Sequence, residues 1–159
     1  MKPRGLWAAG VVLLVVGVVG VMAIGTGYAE DENTSRAKCS EATLHGTYLF
    51  ADDGFVIRDN EKVPFASSGY EVYDGNGHVK GVFSGNFNGE ITRNGKFSGT
   101  YTVKANCTGT TTYTIDGVDL QSDLFIAPDG SRFTFVQIKP KSNVTSGFEL
   151  RGTAERVGD

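Results

Sequence analysis

Few side chains in this 159-residue chain have the types and spacing that catalysis or metal binding requires. Around the two histidines, His45 and His78, the sequence places no second histidine, cysteine or carboxylate at the spacing of zinc ligands. The run Asp74–Gly77 resembles the start of a calcium loop, but its twelfth position is Gly85, where such a loop carries a bidentate Glu. We therefore interpret 74–77 as a hairpin turn, and the sequence predicts neither a metal site nor a cofactor.

Glu71 is the one weak candidate for a catalytic residue. It lies between Tyr70 and Val72 in a predicted strand and shares one face of that strand with Gly69 and Tyr73. If that face is inward, a carboxyl group inside a barrel is a candidate acid or base with a raised pKa. If the other face is inward, Glu71 is solvated, and we favour this second orientation. The motifs of serine hydrolases, zinc proteases and phosphate loops are absent, so the sequence leans against an enzyme.

Strands must position these side chains, because apolar and polar residues alternate along much of the chain after Cys39. One such series is Val79, Gly81, Phe83, Gly85 and Phe87, and another is Phe97, Gly99, Tyr101 and Val103. Turns are expected at residues 52–54, 74–77 and 94–95, since Gly and Asn tolerate positive φ. The pattern predicts an all-β fold, a single closed antiparallel up-and-down barrel of about eight strands.

The inward positions of this barrel define a candidate ligand site that is rich in aromatic rings. A packed core and an apolar cavity are both consistent with such a lining, and the glycines among the inward positions fit either. Gln137 shares the parity of its aromatic neighbours and would supply a polar group. The predicted ligand-binding residues are Tyr48, Phe83, Tyr101, Tyr113, Phe133, Phe135, Gln137 and Phe148, with Leu120, Leu124 and Leu150 also inward.

Residues 1–29 have the layout of a secretory signal peptide. Lys2 and Arg4 precede an uncharged stretch from Leu6 to Ile24. Gly27 and Ala29 then place small residues at both recognition positions of a signal-peptidase site, before an acidic segment. The apolar stretch is long enough that an uncleaved membrane anchor over 6–27 is the alternative. Residues 30–40 are then a flexible lead-in, 41–152 the barrel domain and 153–159 a polar tail. Both interpretations place the barrel in a secreted or extracytoplasmic location.

The charge of the chain narrows the classes of molecule that it is expected to bind. Beyond residue 29 the chain carries 13 basic and 18 acidic side chains, a net charge of −5, and no basic cluster. Nucleic acid is therefore not expected as a partner, and a membrane is expected only through the N-terminal segment.

Cys39 and Cys107 are predicted to form one disulfide bond, because a lone pair of cysteines in an oxidising compartment is most often oxidised. The alternative is two free thiols or a redox pair.

Several motifs between about residues 39 and 152 resemble a family of small secreted bacterial proteins without an established activity. They are Cys39-Ser40 with Leu44-x-Gly46-x-Tyr48-x-Phe50, the segment from Gly99-Thr100-Tyr101 to Cys107-Thr108-Gly109, and Pro128-Asp129-Gly130. The members of that family look similar in fold to plant allene oxide cyclases and dirigent proteins, whose barrel belongs to the calycin-like group. The resemblance implies a closed barrel with a central cavity. It brings no catalytic residues, because no cyclase or dirigent motif matches.

These observations favour an exported, non-enzymatic barrel that binds a small apolar ligand inside. One alternative is a cyclase- or dirigent-like enzyme that acts by confining its substrate, which needs positioning more than reactive side chains. Another is a cell-envelope interaction protein with a filled core. The sequence does not predict an oligomeric state.

Overall fold

A computed structural model of the protein describes residues 38–115, 118–139 and 146–158. The predicted export segment and most of the lead-in lie outside these residues. A short 3-10 helix, Glu41–Thr43, precedes the strands. The strands are β1 His45–Arg58, β2 Glu61–Asp74, β3 His78–Phe87, β4 Glu90–Val103, β5 Thr108–Ile115, β6 Val118–Ile126, β7 Arg132–Lys139 and β8 Ser146–Gly158.

The strands close into one antiparallel barrel. Each strand pairs with the next along the chain, and β8 returns to pair with β1. The prediction of a closed, eight-stranded, up-and-down barrel is therefore confirmed. The turn at 74–77 is also confirmed: Asp74 Oδ1 accepts hydrogen bonds from the backbone N–H groups of Asn76 at 2.7 Å and His78 at 3.0 Å. This carboxylate stabilises the turn between β2 and β3.

Two of the predicted turns lie inside strands. The turn expected at 52–54 is wrong, because Asp52 pairs with Ser67 in the middle of the β1–β2 ladder. The turn expected at 94–95 is also wrong, because β4 continues through it. The β3–β4 register shifts between Phe83 and Gly85, and Asn94 adopts a φ of 55°. Such an irregularity bends the strand without ending it, and the left-handed conformation that favours a turn also suits a bulge.

The predicted polar tail over 153–159 is wrong for residues 153–158, which belong to β8. Thr153 pairs with Ala51, and Ala154 pairs with both Phe50 and Phe133. Ala154 is buried with only 2% of its surface exposed. The segment looked like a tail because most of its side chains are polar. In a barrel those side chains occupy the solvated face of the last strand.

One end of the barrel is closed by an aromatic cluster made of Tyr48, Tyr73, Tyr101 and Phe133. Tyr73 lies at its centre, with ring centroids 5.3 Å from Tyr48, 4.9 Å from Tyr101 and 5.6 Å from Phe133. The phenol of Tyr48 donates a 2.6 Å hydrogen bond to the Gly130 carbonyl. Because a buried phenol needs such a partner, this bond holds the Tyr48 ring in place at this end.

A disulfide bond joins Cys39 to Cys107 across 68 positions of sequence, as predicted. It fastens the segment before β1 to the loop between β4 and β5. Such a bond is characteristic of oxidising compartments, which supports an extracytoplasmic location. Within the described part of the chain, no helix is long and apolar enough to cross a membrane.

Candidate functional site

A cavity of about 410 Å³ occupies the barrel beyond the closed end. The strands that surround it contribute mainly aromatic and aliphatic side chains together with a few polar ones. The described lining residues are Phe50, Asp52, Phe65, Ser67, Glu71, Phe83, Phe87, Glu90, Thr92, Phe97, Thr111, Tyr113, Ile115, Leu120, Ser122, Leu124, Phe135, Phe148 and Leu150. Glu90 is exposed, so the cavity reaches the surface near the β3–β4 hairpin.

The predicted ligand-binding residues divide between the cavity and the closed end. Phe83, Tyr113, Phe135 and Phe148 line the cavity, as do the leucines predicted to be inward. Three other predicted residues, Tyr48, Tyr101 and Phe133, are buried in the closed end and do not line it. The parity that placed them inward is therefore right, but parity does not give a side chain's depth along the barrel axis.

Gln137 does not line this cavity. It lies on a neighbouring groove between β1, β7 and β8, which shares Phe148 and Leu150 with the cavity. Its amide Nε2 donates to the Lys139 carbonyl at 3.0 Å, whereas its buried Oε1 has no hydrogen-bond partner in the part of the chain described here. The β7–β8 ladder ends at the pair Val136 and Arg151, so the two strands are no longer paired at Gln137, the next residue of β7. The prediction that Gln137 supplies the cavity's polar group is wrong.

Glu71 faces the cavity, which corrects the orientation favoured from the sequence. Only 4% of its surface is exposed, whereas Tyr70 beside it is 45% exposed. The reason is the neighbouring Tyr73, whose ring is required at the centre of the aromatic cluster and has 1% of its surface exposed. Because side chains alternate along β2, an inward Tyr73 places Glu71 inward as well.

Two phenols hold the Glu71 carboxyl group. The Tyr113 hydroxyl donates to Oε2 at 2.9 Å and the Tyr73 hydroxyl donates to Oε1 at 3.2 Å. Burial raises the pKa of Glu71 from 4.5 to about 7, although these two hydrogen bonds lower it. Burial also raises the pKa of both phenols well above 10, so they remain donors at neutral pH. The Glu71 carboxyl group therefore exchanges a proton near neutral pH.

Asp52 is a second carboxyl group in the cavity wall, and the sequence interpretation missed it. It accepts a hydrogen bond from the Ser67 hydroxyl on the paired strand. Burial raises the pKa of Asp52, while the bond from Ser67 lowers it. Asp52 shares parity with Tyr48 and Phe50, so the alternation did signal its direction. The signal was hidden because Asp-Asp-Gly is also a typical turn sequence.

The chemistry available here is that of carboxylic acids and phenols in an apolar chamber. Glu71 can accept or donate a proton near pH 7, and the rings provide shape and apolar contact. Among the described residues, no group of three or more His, Cys, Asp or Glu side chains is placed to hold a metal ion. Comparison of the chain with protein-family models, curated proteins and solved structures gives no match.

Proposed function

We propose that this protein is an exported barrel that binds a small, largely apolar molecule in its cavity. The observation that carries the proposal is the cavity itself, whose volume of about 410 Å³ is within the range of small-molecule sites. Its lining is mostly aromatic and aliphatic, with a few polar groups to fix orientation. Burial of the ligand's apolar surface, at roughly 25 cal/mol per Å², drives binding.

Two further observations support the proposal. The closed end is held by the Tyr48 hydrogen bond and the disulfide bond, which leaves the other end of the barrel as the open site. The closed barrel with a cavity is also what a resemblance to the allene oxide cyclase-like, calycin-like group implies. An interaction protein with a filled core is less favoured, because the cavity leaves part of the barrel interior open.

Native mass spectrometry of protein purified from its own host tests this function. We expect an added mass that disappears on denaturation, and extraction would then identify the molecule. Thr92→Trp places a large ring in the cavity wall and is expected to abolish the added mass. Thr100→Trp, on the exposed face of the same strand, is the matched control and should retain it. Equal occupancy in both variants would refute binding in this cavity.

One observation favours a second function, an enzyme that confines its substrate and uses Glu71 as a general acid or base. The carboxyl group is buried, faces the cavity and has a pKa of about 7, which suits proton transfer at neutral pH. In this case wild-type protein releases product, whereas Glu71→Gln retains unconverted substrate. Mass spectrometry of extracts from the two proteins separates the functions: different molecules indicate an enzyme, and the same molecule indicates a binding protein.

A further inference from the structure

The charges that line the cavity are all of one sign. Of its described lining residues, Asp52, Glu71 and Glu90 are acidic, and none is Lys, Arg or His. Glu90 is exposed at the edge of the cavity, and the other two lie deeper in the wall. A wall of this kind disfavours fatty acids and other anions, because a carboxylate ligand would meet like charges in a poorly solvated space.

Glu71 has donors for its lone pairs but no counter-charge among the residues that the structure describes. Each carboxylate oxygen accepts one phenol hydrogen bond, which leaves acceptor capacity on both oxygens. None of the described Lys, Arg or His side chains forms an ion pair with it. A buried carboxylate without a cation is costly, so a ligand that brings a positive charge would stabilise the ionised form.

The aromatic rings near Glu71 also favour a positively charged ligand. Tyr113, which bonds to Glu71, packs edge-on against Phe97 at 4.9 Å between centroids, and Phe97 lies 6.0 Å from Phe50 and 6.3 Å from Phe83. All four residues line the cavity. The faces of aromatic rings attract ammonium groups, most strongly where water is excluded. A carboxylate among aromatic rings is a favourable environment for an organic cation.

We infer that the molecule taken up by this cavity is a hydrophobic organic amine, bound as its ammonium ion with the charged group on the Glu71 carboxylate and the apolar body among the rings. This inference rests on the proposed function and names its ligand class. Glu90 at the cavity's edge draws the cation in, and Asp52 adds a second negative charge to the wall.

Binding of the amine is coupled to the release of a proton from Glu71. The groups around Glu71 are Tyr48, Tyr73 and Tyr113, with Asp52 acting on it electrostatically. The phenols do not ionise between pH 5.5 and 8, since burial raises the pKa of each of them. An ammonium ion requires the ionised carboxylate, so a bound amine displaces the Glu71 proton below pH 7. Amine affinity should therefore rise about thirtyfold from pH 5.5 to pH 8.

The test is calorimetric titration of the purified protein with probes that share one skeleton. These are 1-naphthylmethylamine, 1-naphthalenemethanol and 1-naphthoic acid, with decylamine and decanol as a flexible pair. We expect each amine to bind about tenfold or more tightly than its alcohol at pH 8, and the acid to bind most weakly. Glu71→Gln should reduce the amine's advantage to about twofold or less. Glu61→Gln, an exposed site on the same strand, should leave it unchanged.

Proton release is the second measurement and needs no variant. At pH 6, titrations in buffers of different ionisation enthalpy should show close to one proton released per amine bound and none per alcohol. If alcohols bind as tightly as amines, or if no proton is released, the inference is refuted while the proposed function stands. If none of the five probes binds, both the inference and the proposed cavity function fail.

Discussion

The buried Glu71 makes a quantitative prediction about stability and pH. In the folded protein burial raises the pKa of its carboxyl group from 4.5 to about 7. Between these two pH values the folded protein holds a proton that the unfolded chain has released. Stability must therefore fall as pH rises through this window, and above it the loss is complete. A pKa difference of this size corresponds to about 3 kcal/mol of unfolding free energy.

Glu71→Gln isolates this contribution, because the amide has a similar shape and does not ionise. We expect wild type to lose about 3 kcal/mol relative to the variant between pH 4.5 and pH 8. Titrating groups that do not interact with Glu71 are present in both proteins and cancel in the difference. The absolute stability of the variant does not matter, since only the change of the difference with pH is interpreted.

Urea denaturation of both proteins, with the disulfide bond intact, measures the difference at half-unit steps of pH. Glu61→Gln on the exposed part of β2 is the control, and its difference from wild type should stay within about 0.5 kcal/mol across the range. A flat difference for Glu71→Gln would show that the carboxyl group is solvated in the native state. A difference of opposite sign would show a native cation beside it. Either result would refute the reasoning from burial.

Three further predictions follow from contacts around the same region. Tyr113→Phe removes one donor to the carboxylate, so the pKa of Glu71 should be higher in the variant than in wild type. Carbon-13 NMR of the carboxyl group measures both pKa values. Replacing Cys39 and Cys107 together by Ala should lower the unfolding free energy by about 4 kcal/mol, since the bond closes a 68-residue separation; urea midpoints measure this. Tyr48→Phe leaves the Gly130 carbonyl without its donor and should cost about 1–2 kcal/mol in the same assay, with ligand binding unchanged because Tyr48 does not line the cavity.

The sequence was sufficient for the architecture because alternation is a property of the backbone. Residues such as Phe83 and Tyr101 turn inward wherever the strand continues, and closure follows from the need to pair the edges. The ends of strands were predictable only where residues typical of turns do form a turn and not a bulge within a continuous strand. Asp74–Gly77 forms a turn, but Asn94 uses the same left-handed conformation to bend a continuous strand.

The site was less predictable because it depends on which face of β2 meets the core. Local sequence presents Tyr70 with Val72 or Glu71 with Tyr73 as the inward pair, and hydrophobicity favours the first. The structure takes the second because the Tyr73 ring completes a cluster with rings from distant strands. Burial of Glu71 is a consequence of that packing, so the sequence of β2 alone could not predict it.

Whether the barrel is hollow depends on the direction in which each ring leans. The ring of Phe97 lies over Gly81 of β3, and the ring of Phe83 lies over Gly95 of β4, each in the place that a Cβ atom would occupy. These rings therefore lie along the wall instead of filling the axis. Inward glycines create the cavity indirectly, by giving neighbouring rings a place on the sheet. A side chain at Gly81 would push the Phe97 ring toward the centre, so the open interior is a property of ring and glycine pairs across adjacent strands.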